Sequence, residues 1–333
     1  MAIFMIAVAA IGQEEEAKPS EACAKYAPVA LPAEAQSVVT PKAAPGCASY
    51  KSYRGIGRLV NYGEARACAW QERAAQKADL GQNEKEPIAW FVGGSLILAD
   101  IYYNGAGVAV DKPLAMRFAC EADDTMAQLM MDDLAKPSGP QYAHKPFEFC
   151  DYATTTFAMN FCGEYQQEIA DDRRGREYER LKVAMTSEQR ATFDRLLVAE
   201  RAYIEAHASE VYQGGTIRGI RTMGSQEILE KLFHGEVMQL ERRQWPTIQQ
   251  AQIDGSDATM AQEYRAAQGR IRAQPKDEFN EDVTAEGLLN AQRAWLKYRN
   301  AWSAFAKARY PEHAAAISAE ITLDRYRLLK TIP

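Results

Sequence analysis

Metal-binding and redox spacings are missing from this chain. Its four histidines (His144, His207, His234 and His313) are scattered over 333 residues without a His-x-x-x-His. None of its six cysteines forms a Cys-x-x-Cys, which removes zinc-ribbon, haem-attachment and thioredoxin-like readings. A Gly-x-Ser-x-Gly elbow, a Walker-type loop and a dinucleotide-binding glycine motif are missing too. Acidic doublets at Asp123-Asp124, Asp132-Asp133 and Asp171-Asp172 do not replace them. Adjacent residues on a helix point in different directions, whereas glycoside hydrolysis needs two carboxyls facing each other across a cleft. No metal, cofactor or catalytic set is expected. Positive charge is not in excess: 39 Lys and Arg stand against 45 Asp and Glu, a net charge of -6. That argues against a nucleic-acid partner, which calls for a basic stripe, and leaves room for a basic one. Sustained period-two alternation is lacking, so the chain reads as all-α.

What is present begins with "MAIFMIAVAAIG", residues 1–12, uncharged and too short to cross a bilayer. It has the length of a secretory signal core, and Ala10-Ile11-Gly12 or Val8-Ala9-Ala10 supplies a small-residue cleavage site. A periplasmic or secreted protein is expected, with no membrane insertion after cleavage. In an oxidising compartment an even set of cysteines implies disulfides, and six allow fifteen pairings. Residues 13–50, rich in Ala, Pro and Glu, read as an extended linker. Cys23 and Cys47 bracket it and are one candidate pair, with pairing elsewhere left open. Cys68 and Cys120, on helices further along, are another.

Helical patterns dominate from Tyr53 onward. "YGEARACAWQERAAQKAD" is alanine-rich and free of proline. "PIAWFVGGSLILADIYYNG" starts at Pro87 and stops at Gly105, and "DKPLAMRFACEAD" opens on Asp111 as an N-cap. Near the C-terminus a helix recurs. Leu196, Leu197, Ala199, Arg201 and Ala202 match Leu288, Leu289, Ala291, Arg293 and Ala294 at an offset of 92 residues. Tyr203-Ile204 answers Trp295-Leu296, and Glu177-Tyr178 answers Glu263-Tyr264, with extra residues around "QPKDEFNED" in the second copy. Arg201 and Arg293 repeat with the core pattern and are expected to be structural, their stems packed on aromatics. "VYQGGTIRGIRTMGSQE", Val211 to Glu227, carries four glycines with Tyr212, Arg218 and Arg221, and a helix start is expected at Ser225. It reads as an inter-helix loop, and as the candidate partner-binding segment.

Two resemblances follow from these motifs. Leu96 to Asp123 resembles the Sel-one-like repeat, a short relative of the tetratricopeptide repeat, through Leu98, Tyr102, Gly105, Gly107, Val108, Asp111 and Ala115. "YGEARACAWQERA" resembles the second helix of another unit, with Ala65 fifty residues before Ala115. This implies an αα-repeat region over residues 51–145, of a kind that usually binds proteins. Residues from 150 onward resemble the LprI-type lysozyme-inhibitor family. The matching features are "CDYATTTFAMNFC", Asp171-Asp172 with Tyr178, "TSEQR", and "AERAY" or, more faithfully, "AQRAW". A closing helix retains Thr322, Arg325 and Leu329. The resemblance implies that Cys150 pairs with Cys162. Later family cysteines are absent, and Trp302 stands near the place of one. The expectation is an all-α, disulfide-bonded fold with a short αα-repeat region and two tandem small helical-bundle units. Those units cover residues 146–245 and 246–333, the second without cysteine. The resemblance implies an exported, non-enzymatic binding protein of the cell envelope that contacts a protein partner, a lysozyme. A scaffold or adaptor acting through the helical repeats is the alternative.

Overall fold

The computed structural model describes residues 21–36, 47–79, 94–122, 124–134, 136, 146–274 and 283–332. The leader-like segment 1–12, the expected helix start at Pro87 and most of the insertion around "QPKDEFNED" lie outside them. The described residues are mostly helical, without a strand, and no helix among them is long and apolar enough to cross a membrane. The chain divides into two compact units, Met1–Thr154 and Thr155–Pro333.

The first unit holds α1 (Glu21–Ala24), α2 (Ser49–Arg54), α3 (Tyr62–Asp79), α4 (Gly94–Asn104), α5 (Lys112–Ala119) and α6 (Asp124–Leu134). Helices α2–α3 and α4–α5 form two hairpins with the same turn, displaced by fifty residues. In each turn a glycine takes the left-handed conformation that only Gly adopts without cost, Gly55 at φ 73° and Gly105 at φ 68°. The following amide closes the helix, Ile56 N to Lys51 O and Ala106 N to Ile101 O, both 2.9 Å. The side chain of Asn61 then accepts from Glu64 N, and that of Asp111 from Leu114 N, each at 3.0 Å, capping the second helix. Ala65 and Ala115 are buried at equivalent positions, where only a small side chain allows close packing.

Residues 21–36 are not the free linker expected. Helix α1 lies against α6, Arg117 donates to the Val29 carbonyl, and Glu34 accepts from Tyr102 OH (2.6 Å) and Arg66 Nε (3.1 Å). This docking decides the disulfides. They join Cys23 to Cys120 and Cys47 to Cys68, which corrects the expected Cys23–Cys47 and Cys68–Cys120 pairs. Cys150 and Cys162 are disulfide-bonded as well. Residues 146–154 belong to the first unit, not to the second as expected. Asn104 exchanges hydrogen bonds with the Phe147 backbone (2.7 and 2.8 Å), and Tyr152 OH donates to Asp133 (2.7 Å).

The second unit holds α7 (Thr156–Val183), α8 (Ser187–His207), α9 (Arg218–Glu241), α10 (Gln250–Ala273), α11 (Ala285–Arg309) and α12 (Ala314–Leu329). Thr186 starts α8 with a reciprocal capping box to Gln189, and Thr284 caps α11 through Gly287 N. The two copies do not enclose separate cores. Helices α8 and α11, the repeated pair, make the most extensive helix contact, and one apolar cluster draws on both copies. Leu196 and Leu288 are fully buried in it, as are Trp295 and Trp302. Trp302 packs on Phe233 at 5.5 Å and Phe305 at 6.0 Å. A short amphipathic helix hairpin buries too little alone, so each copy supplies the other's missing wall.

The structural arginine is not one of the repeated pair. Arg201 and Arg293 are exposed, while Arg325 of α12 is fully buried. Its guanidinium makes a bidentate pair with the equally buried Glu210, at 2.6 and 2.7 Å, and donates to Gln292 Oε1 at 3.0 Å. His207 Nδ1 meets Glu210 at 2.7 Å and Nε2 meets Ser225 Oγ at 2.9 Å. Burial raises the Glu210 carboxyl, but the Arg325 and His207 bonds outweigh it, and the net shift is downward. Glu210 follows the first repeated helix and Arg325 lies in the last helix of the second copy, so the pair ties the copies together.

Candidate functional site

On the first copy a cleft of about 400 Å³ opens between α7, α8 and α9. Asp171, Glu179, Glu200, Glu205 and Glu230 line it against two guanidiniums, Arg174 and Arg201, over an apolar floor that includes Tyr178, Leu197 and Ile204. The long helix α7 sets Asp171 and Arg174 one turn apart, so the buried Arg174 reaches both Asp171 and Glu230 at 2.5 Å. Gln167 adds a bond to the other Glu230 oxygen at 3.1 Å. Burial nevertheless outweighs Arg174 and keeps the Glu230 carboxyl raised. Glu200 lies deeper, with burial first and the Glu230 charge second lifting it from 4.5 to about 7. A carboxylate held this way is stabilised by any cation entering the cleft.

The second copy lacks this arrangement. At the 92-residue offset Glu200 and Glu205 become Gln292 and Lys297, and Gln292 is used internally on Arg325. A smaller groove there, about 220 Å³, has Asp257 paired with Arg299 at 2.5 Å. The acidic cleft is thus a departure of one copy from the other. That difference was visible by aligning the two copies, but only the fold shows that α7 and α9 bring Asp171, Arg174 and Glu230 to the same place.

The loop marked in the sequence spans residues 211–217, and α9 begins at Arg218 instead of Ser225. Ser225 lies inside α9, its hydroxyl meeting His207 Nε2 at 2.9 Å. Arg221 donates to the carbonyls of Tyr212 (2.9 Å) and Gly214 (3.1 Å) and stacks over the Tyr212 ring. It shapes the loop, whereas Arg218 is exposed. The cleft and the loop share the end of α8 and the first half of α9. Among the described residues no group of three or more His, Cys, Asp or Glu is placed to hold a metal.

An all-helical, disulfide-stapled chain with an acidic cleft on one of two mutually packed copies is the class that fold and site define. Residues 241–329 match the family described as lysozyme inhibitor LprI, a match that covers about a quarter of the chain and falls on the second copy. No curated protein and no solved structure matches the chain.

Proposed function

We propose that this is an exported, non-enzymatic protein that binds and inhibits a lysozyme through its second unit. The family match at residues 241–329 carries the reading, and the disulfides fit an oxidising, extracytoplasmic compartment. The cleft supplies the complementary chemistry, since an excess of carboxylates over a greasy floor suits a partner with a basic face. Arg218, Tyr212 and Arg221 form the second contact: Arg221 holds the loop, and Arg218 is free to pair with a carboxylate, of which a lysozyme cleft has two. The test is a lysis assay with purified lysozyme and the full chain in stoichiometric excess. Reversing the exposed rim charges, Glu179→Lys with Glu205→Lys, should weaken inhibition tenfold or more without changing stability. Undiminished lysis with the wild-type chain overturns the reading.

A second reading rests on the first unit. Its hairpin turns expose Leu59 (90%), Val60, Tyr62 and Val110, an apolar edge on a region that resembles Sel-one-like repeats. An envelope adaptor would use this edge. Leu59→Asp with Val110→Asp should then abolish partner capture and leave lysozyme inhibition intact.

A further inference from the structure

A second, smaller cavity adjoins the cleft at Glu200 and Ile204, between α8, α9, α11 and α12. Its volume is about 30 Å³, enough for one or two water-sized groups. Three carboxyls line it, Glu200, Glu236 and Asp324, over Phe233 and Tyr298, with the half-exposed Leu232 also in its wall. Glu236 and Asp324 both line this cavity, and both are acceptors when ionised. The Glu236 Oε2 atom is closed off from solvent, and no donor reaches it. A buried acceptor sharing a cavity with another acceptor calls for a proton or a cationic donor between them.

We infer that this cavity is a subsite for a primary ammonium group, in the assembled state the lysine side chain of the protein partner. The size fits an ammonium and its three N–H donors match the oxygens available. The aromatic walls favour a cation as well. The guanidiniums nearby are already committed. Arg325 is neutralised by Glu210, and Arg327 pairs with Asp324 and Glu320. The groups facing the site are therefore Glu200 and Tyr203 from α8, Glu236 from α9, Tyr298 from α11, and Glu320, Asp324, Arg325 and Arg327 from α12. When the cavity is empty, burial and the Asp324 charge keep Glu236 protonated well above the usual carboxylate range. An entering ammonium takes the place of that proton. Binding then releases one proton and tightens as pH rises, about tenfold per unit while Glu236 remains protonated.

The lysine partner rests on the function proposed above, but the ammonium chemistry is tested without it. The full chain, labelled with ¹⁵N, is titrated with n-butylammonium, n-butanol and Ca²⁺, following the indole resonance of Trp295, which lines the cavity. Butylammonium should give a saturable shift that tightens with pH; butanol and Ca²⁺ should give none. Glu236→Gln should abolish the shift while leaving the protein folded, because its amide donates to Asp324. An equal response to butanol or Ca²⁺, or an ammonium response that survives Glu236→Gln, overturns the subsite. With lysozyme, Glu236→Gln should weaken inhibition tenfold or more, and unchanged inhibition removes the lysine from the proposal. Ammonium binding without any lysozyme inhibition would leave the subsite standing and sink the function.

Discussion

Arg325→Met removes one member of the buried Arg325–Glu210 pair and leaves the other without compensation. Both side chains are fully buried, and Glu210 would keep only the His207 contact at 2.7 Å. Breaking a buried pair this way costs about 3–5 kcal/mol. In a unit of this size, roughly 2–4 °C per kcal/mol gives a fall in Tm of about 6–20 °C. The pH dependence follows from Glu210. Its folded pKa is lowered, so the stability it contributes is present above the unfolded value near 4.5 and is lost as pH falls through the folded value. In the variant that contribution disappears, so the gap from wild type should be widest above pH 5 and close towards acid. The double variant Arg325→Met with Glu210→Leu should recover most of the loss, since an apolar pair fits the site. Urea titration of the full chain, followed by tryptophan fluorescence at pH 4 and pH 8, measures all three. A single-variant cost below about 1 kcal/mol, or a double variant as unstable as the sum of the singles, would refute the reasoning.

Three further outcomes follow. Glu200, lifted from 4.5 to about 7, lowers stability as pH rises through that interval, because the unfolded state ionises first. Glu200→Gln should therefore be neutral at pH 4 and stabilise by up to about 3 kcal/mol at pH 8, read by the same titration. A non-reducing peptide map should show Cys23–Cys120 and Cys47–Cys68. Replacing both Cys23 and Cys120 by Ser should destabilise the first unit by about 5 kcal/mol in the chain-entropy view. A fragment of residues 246–333 should show no cooperative unfolding, whereas residues 155–333 should unfold in one transition by circular dichroism. A stable short fragment would show that the copies are independent after all.

Helices were legible because their signals are local. Asp111 caps the helix it precedes, and Gly105 ends one, as spacing alone indicates. The internal repeat was legible too, through Leu196 and Leu288. Its consequence was not, because nothing local says that a repeated helix packs on its own copy. Arg201 and Arg293 drew attention by recurring, yet recurrence on an exposed face carries no burial. Arg325 is the arginine that the core uses, and its partner Glu210 lies 115 residues away. The expected Cys23–Cys47 and Cys68–Cys120 pairs failed for a similar reason. Composition marked residues 13–50 as a spacer, but Val29 and Glu34 find long-range partners in Arg117, Arg66 and Tyr102 that composition does not encode. The cleft depends on α7 and α9 meeting across α8, which is tertiary information.

Lysozyme activity in the presence of excess full-length chain tests the central claim most directly, with the Glu179→Lys, Glu205→Lys variant measured in parallel. The account predicts that lysis is suppressed by the wild-type chain and restored, at the same protein concentration, when the variant replaces it. Lysis that proceeds at the uninhibited rate with the wild-type chain would contradict it.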